Sequence, residues 1–139
     1  MLYIVHDEEG RIQQANKHYD PEGYDKVLHD FGMHNFIKVN VNTVVSPDEF
    51  FVHQNQLTMR DAMDIHIDRP CMVAGKSGVT FSGLPKGCNI TVLVANMPIY
   101  QDVINDGQAY LESPIPGLFT VQLDCWPWLP WSKVVECVA

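Results

Sequence analysis

The run G-L-F-T-V-Q-L-D-C, Gly117 to Cys125, constrains the fold of this chain more than any other stretch. Successive side chains of an extended backbone point to opposite faces. Phe119, Val121, Leu123 and Cys125 therefore share one side, and Thr120, Gln122 and Asp124 share the other. That is a strand with one buried face and one solvated face. It runs into W-P-W-L-P-W at 126–131, where two prolines remove backbone donors and bar both a continuing helix and a central strand. Beyond Met63 the same rhythm recurs. Strands are expected at Asp64 to Asp68, Val79 to Ser82, Asn89 to Ala95, Ile99 to Val103, Gln108 to Glu112, Leu118 to Cys125 and Lys133 to Val138. Between them lie A-G-K-S-G, L-P-K-G, N-D-G and S-P-I-P-G, whose residues suit turns needing positive or fixed φ. About seven short strands at this spacing predict an immunoglobulin-like antiparallel β-sandwich over residues 63–139.

The first part of the chain has a different period. Leu2 to Val5 is rich in strand formers and leads through D-E-E-G to R-I-Q-Q-A-N-K-H-Y, a first hairpin with Gly10 in its turn. Asp20, Pro21 and Glu22 form a helix start, because the Asp side chain can accept unpaired backbone N–H groups and Pro fits the first helical position. Tyr24, Val27, Leu28 and Phe31 then recur at helical spacing, and Gly32 stands where a left-handed terminator belongs. Asn35 to Val41 returns to alternation, V-V-S-P-D breaks it, and E-F-F-V-H-Q-N-Q-L-T-M-R reads as a second hairpin turning near His53 to Gln56. The fold class expected is mainly β with one helix: a small N-terminal α+β unit at 1–62, then the sandwich, with D-A-M-D at the boundary.

Seventeen acidic against nine basic residues give a formal charge of −8, and no Lys/Arg cluster interrupts the acidic field. A nucleic-acid partner is therefore not expected. No apolar run reaches the ~18 residues of a transmembrane helix, and M-L-Y-I-V-H-D lacks the basic start and long apolar core of a signal peptide. A product made and used in the cytosol, without membrane insertion, is the expectation. Cys71, Cys88, Cys125 and Cys137 are widely spaced with no C-x-x-C pair, so they read as reduced thiols packed as small hydrophobes.

Catalytic and metal chemistry find little support. His29 and His34 are close in sequence, but Gly32 separates them across a helix end, and no H-x-x-x-H or E-x-x-H pattern accompanies them. His6, His18, His53 and His66 stand singly. Ser77 in A-G-K-S-G lacks the first glycine and the following helix of a phosphate-binding loop, so it belongs to a turn. Asp61, Asp64 and Asp68 alternate onto a solvated face, which does not build the facing carboxylate pair of a glycosidase. The chain is read as a non-enzyme with no cofactor. Trp126, Trp128 and Trp131 are the candidate partner-binding residues, since large rings spaced by prolines can anchor a subunit or stack on a sugar. The competing reading has them capping the end of the sandwich core. Strand alternation favours a mixture, with Trp126 inside and Trp128 or Trp131 at a protein contact.

Taken in order, Q-L-T-M-R-D-A-M, G-V-T-F-S-G-L-P-K-G-C-N-I-T-V, N-D-G-Q-A-Y and P-G-L-F-T-V-Q-L-D-C-W-P-W resemble small uncharacterised virion accessory proteins of tailed bacteriophages. In those, a hairpin ending near Arg-Pro precedes a G-L-P-x-G turn, a D-G turn and a P-G-x-Y-x-V strand. The resemblance spans roughly residues 1 to 138. This chain departs from it at Arg60-Asp61, where Arg-Pro is usual, at Phe119, where Tyr is usual, and in its Trp-rich ending. What the resemblance implies is a virion structural protein, tail-associated as an adaptor or fibre-linked component, present as a homo-oligomer or in several copies and docked on other virion proteins. A capsid cement or decoration protein is the alternative within that class. A carbohydrate-binding module for host-surface glycan, stacking on Trp128 and Trp131, is the alternative from another class.

Overall fold

The computed structural model describes residues 2–17, 21–30, 32, 35–39 and 45–139. The chain divides into two compact units, Met1–Arg60 and Asp61–Ala139.

In the first unit, β1 (Leu2–His6) pairs antiparallel with β2 (Ile12–Lys17) on one side and with β3 (Phe36–Val39) on the other, and α1 (Pro21–Asp30) connects β2 to β3. A hairpin of β4 (Phe50–His53) and β5 (Gln56–Met59) follows. The central position of β1 explains its unbroken apolar run. Leu2 and Ile4 pack with Ile12, Ile37, Val45 and Val52, while Tyr3 and Val5 pack with Leu28, Tyr24 and Phe36. A strand covered on both faces has no solvated side to keep polar.

Local chemistry sets the turns of this unit. Asp7 Oδ1 accepts the backbone N–H groups of Glu9 and Arg11, each at 2.9 Å, and so closes D-E-E-G on itself. Gly10 has φ +85° and its carbonyl accepts the Val52 N–H at 2.8 Å. A Cβ there would stand 2.1 Å from Val52 O, so the approach of the two hairpins requires glycine. Gln54 and Asn55 both have positive φ, the two-residue turn whose twist matches paired strands. Gly32, at φ +74°, donates its N–H to His29 O and ends the helix as expected. The helix buries a narrower face than its spacing predicts, because Val27 is 44% exposed while Leu28 is buried. The expected cap Asp20, the apolar Phe31, and Asn40 and Val41 of the expected third strand lie outside the described residues.

The second unit contains β6 (His66–Ile67), β7 (Cys71–Val73), β8 (Val79–Ser82), β9 (Cys88–Val94), β10 (Met97–Ile104), β11 (Gln108–Leu111), β12 (Gly117–Asp124) and β13 (Trp131–Val138). One sheet has the order β10-β9-β12-β13-β7 and the other β11-β8-β6. Val79, Phe81 and Ala109 from the smaller sheet share a core with Ile90, Val92, Val121, Leu123 and Val135 from the larger, the layering of a β-sandwich. The alternation read in β12 is present residue by residue. Phe119, Val121, Leu123 and Cys125 are buried, and Gln122 and Asp124 are exposed.

The second unit differs from expectation in its strand count and in not being wholly antiparallel. Eight strands form where seven were expected, the addition being β7, which pairs parallel to β13 through Glu136↔Cys71 to Val138↔Val73. The unit is therefore antiparallel except along that edge. Three residues after a proline carry too little periodicity to announce a strand, and its partner comes from the far end of the chain. Residues 105–107 carry β10 directly into β11, and Ala95 and Asn96, both with positive φ, join β9 to β10.

Candidate functional site

The tryptophan segment is stitched to the second unit by its backbone. Trp128 donates its N–H to Cys125 O at 2.7 Å, Leu129 donates to Asp61 O at 2.8 Å, and Leu129 bridges Ala62. The Trp126–Pro127 peptide is cis. Trp131 opens β13 opposite Leu123, on the core side of the sheet, and its ring meets Phe81 edge to face at 6.0 Å and 79°. Trp128 and Trp131 both pack against the core cluster. Trp128 and Trp131, one of which was expected at a protein contact, therefore both have part of their ring on the core. All three tryptophans are half-buried. Proline spacing alone carries no information about which ring finds Phe81, because that contact crosses the two sheets.

A second region, with no counterpart among the residues singled out from sequence, lies between the edge strands β10 and β11. Cross-strand partners share a face, and Tyr100, Asp102 and Ile104 stand opposite Val92, Ile90 and Cys88, all buried. The inner face of β10 therefore hangs toward the core, yet Tyr100 remains 49% exposed because the three-stranded sheet stops at β11. The result is a groove. One stretch, of about 440 Å³, is lined by Tyr100, Asp102, Asp106 and Ala109 over Ile90 and Val92. An adjoining stretch of about 430 Å³ shares Val92, Tyr100, Tyr110 and Leu111 and adds Ile99, Glu112 and Phe119.

The groove walls are held by side-chain hydrogen bonds. Tyr100 donates its phenol O–H to Asp102 Oδ2 at 3.0 Å, and Asp102 Oδ1 accepts the Val103 N–H at 2.8 Å. The hydrogen bond to Asp102, then desolvation and the charge of the carboxylate, push the Tyr100 phenol above its ordinary value of 10.0. Tyr110 donates to Glu112 Oε2 at 3.2 Å, and its ring lies over Gly78, where a Cβ would come within 2.7 Å of the ring. A side chain at position 78 would displace that wall. Met97, Ile99 and Val103 add further exposed apolar surface along β10. The sequence signal that could have found the groove is in β10, where apolar and aromatic residues occur without a polar-out alternation.

Asp61, Asp64 and Asp68 are exposed, and Asp68 Oδ1 accepts the Thr80 N–H at 2.7 Å. Ser77 exchanges backbone hydrogen bonds with Val73 in a tight turn. His6 bonds Asp7 O, while the His29 and His53 rings lie against Phe36 and Phe51. His18 and His34 lie outside the described residues. Among the described residues no group of three or more His, Cys, Asp or Glu side chains is arranged to hold a metal. All four cysteines are free, and three are buried. Burial foremost, and Cys125 beside it, push the Cys88 thiol up to about 11.

Comparison with protein-family models, with curated proteins and with solved structures finds no significant match for this chain.

Proposed function

We propose that this protein is a non-enzymatic structural component of a tailed-phage particle, an adaptor or fibre-linked tail protein that docks onto neighbouring virion proteins through its second unit. The observation that carries the docking reading is the groove between β10 and β11, walled by preset tyrosines and by Ile99, along an edge strand β10 that also exposes Met97 and Val103. Exposed large apolar side chains gathered at one edge mark interaction surfaces rather than ordinary solvated strands. The virion assignment rests on the resemblance in the ordered turn and strand motifs.

Strand order supports the finer reading of the second unit as immunoglobulin-like. The neighbours β8 and β11 in one sheet, and β10-β9-β12-β13 in the other, follow the B–E and C′–C–F–G adjacency of that fold. Scaffold rigidity then comes from the core, and binding from its open edge. Quantitative mass spectrometry of purified phage particles tests the function. The chain is expected at a fixed copy number per tail. Its absence from particles, or a copy number that scales with the capsid lattice, would overturn the tail assignment.

A further inference from the structure

The larger sheet of the second unit has five strands and the smaller has three, and the chain passes straight from β10 to β11. The edge of β11 that faces the groove has no neighbouring strand among the described residues, because β11 pairs with β8 alone. Beside that edge the groove reaches Val92 and Phe119, residues of the sandwich core. Backbone donors and acceptors on an open edge, next to a slot that leads to apolar side chains, are the two components of strand addition. Main-chain hydrogen bonds supply affinity, and pockets for alternate side chains supply selectivity.

The neighbouring strand is guarded differently. Asp102 turns a carboxylate onto the inner face of β10 and caps the Val103 N–H, and Pro98 with the adjoining register shift interrupts the start of that strand. Inward charges, prolines and bulges are devices that block edge pairing. β11 has no proline and no register shift over Gln108–Leu111; only its first N–H, that of Gln108, is taken, by Asp106 Oδ1 at 3.2 Å. Charge then selects the occupant. The groove lining includes Asp102, Asp106 and Glu112 and no lysine or arginine. An acidic incoming segment would meet like charges, whereas a basic side chain is drawn to Asp102.

From these relations we infer that the groove receives an extended segment of a partner protein, paired along the open edge of β11. Every second side chain turns into the groove: apolar ones toward Val92 and Phe119, and in the same set a lysine or arginine toward Asp102. The inference rests on the docking function proposed above and names the chemistry of the partner.

The test uses the full chain and three capped heptapeptides: Lys-Thr-Val-Thr-Val-Thr-Lys, whose valines and lysines share one face, the same peptide with glutamate for lysine, and the lysine peptide N-methylated on alternate residues. Amide NMR is expected to show saturable binding of the lysine peptide, with shifts concentrated on Tyr100 to Leu111. N-methylation should weaken it about tenfold, as losing two backbone hydrogen bonds implies. Asp102→Asn, which keeps an acceptor for the Val103 N–H and offers the Tyr100 hydroxyl an N–H to accept from, should weaken it about threefold, in the range of a single partly exposed charge pair. Exposed Glu136→Gln, on β13, should leave it unchanged. Equal binding of the N-methylated or glutamate peptide, shifts centred on Trp126 to Trp131, or no saturation overturns the inference. Concentration-dependent dimers with the same β11 shifts, in the absence of peptide, would overturn it in favour of a second copy. Failure of the peptide with the chain still present in particles defeats the groove alone, whereas absence from particles defeats the virion reading.

Discussion

Tyr100 and Asp102 hang from the same face of β10, two residues apart, and the phenol O–H of the first is donated to Oδ2 of the second at 3.0 Å. Asp102 engages its other oxygen with the Val103 N–H, so one carboxylate both orients the ring and caps the backbone of an edge strand. The arrangement keeps an aromatic wall in place while discouraging pairing along β10. It directs any added strand to the opposite side of the groove.

The register of β12 predicts an asymmetric pair of stability effects. Leu123 is 1% exposed within the shared core, so Leu123→Ala should cost about 2–5 kcal/mol through lost burial and a residual cavity. Gln122→Ala, on the exposed face, should stay within about 0.5 kcal/mol. Chemical denaturation of both variants checks this, and equal losses would contradict the buried and solvated faces.

Trp131 joins the two sheets by its contact with Phe81. Trp131→Ala should lower stability by about 2 kcal/mol, less than the 3–5 kcal/mol of a fully buried aromatic truncation, because the ring is only half-buried. Trp131→Phe should recover much of the loss, since an edge-to-face partner for Phe81 is retained. Thermal unfolding of the two variants decides whether the ring acts within its own chain.

In the first unit Lys38 Nζ lies 2.8 Å from Asp25 Oδ2. The Lys38 hydrogen bond, followed by one from Tyr3, holds the Asp25 carboxyl below its ordinary value of 3.8. A carboxyl depressed on folding contributes stability that is present above pH 3.8 and is lost as pH falls through the folded value. Carboxyl-carbon NMR should therefore find Asp25 titrating below 3.8, and Lys38→Met should move it upward. The effect on acid unfolding should be small, because the pair is partly exposed.

The cysteines should differ in reactivity. Cys71 is half-exposed, whereas Cys88, Cys125 and Cys137 are buried. With Cys88 pushed up to about 11, only about one molecule in a thousand carries its thiolate at pH 8. Disulfide-exchange reagents at that pH should modify Cys71 first in the folded protein and all four thiols after unfolding. Rapid native labelling of Cys88 would show that the start of β9 opens readily.

Sequence alone determined the features governed by nearest neighbours. The alternation from Phe119 to Cys125, the helix stop at Gly32, and the closed D-E-E-G turn follow from backbone geometry and short-range hydrogen bonding, and each is legible within a few residues. Tertiary structure decided what depends on distant partners. Cys71 to Val73 becomes a strand only because β13 supplies a parallel edge, and Val27 stays exposed because the sheet accepts Tyr24 and Leu28 instead. Trp131 reaches the core because Phe81 stands across from it in the other sheet. The groove is the clearest case. Tyr100, Asp102 and Leu111 reveal no common site in the linear chain, since their meeting depends on which strands end each sheet. That choice is made by long-range hydrogen bonding and burial, which local periodicity does not encode.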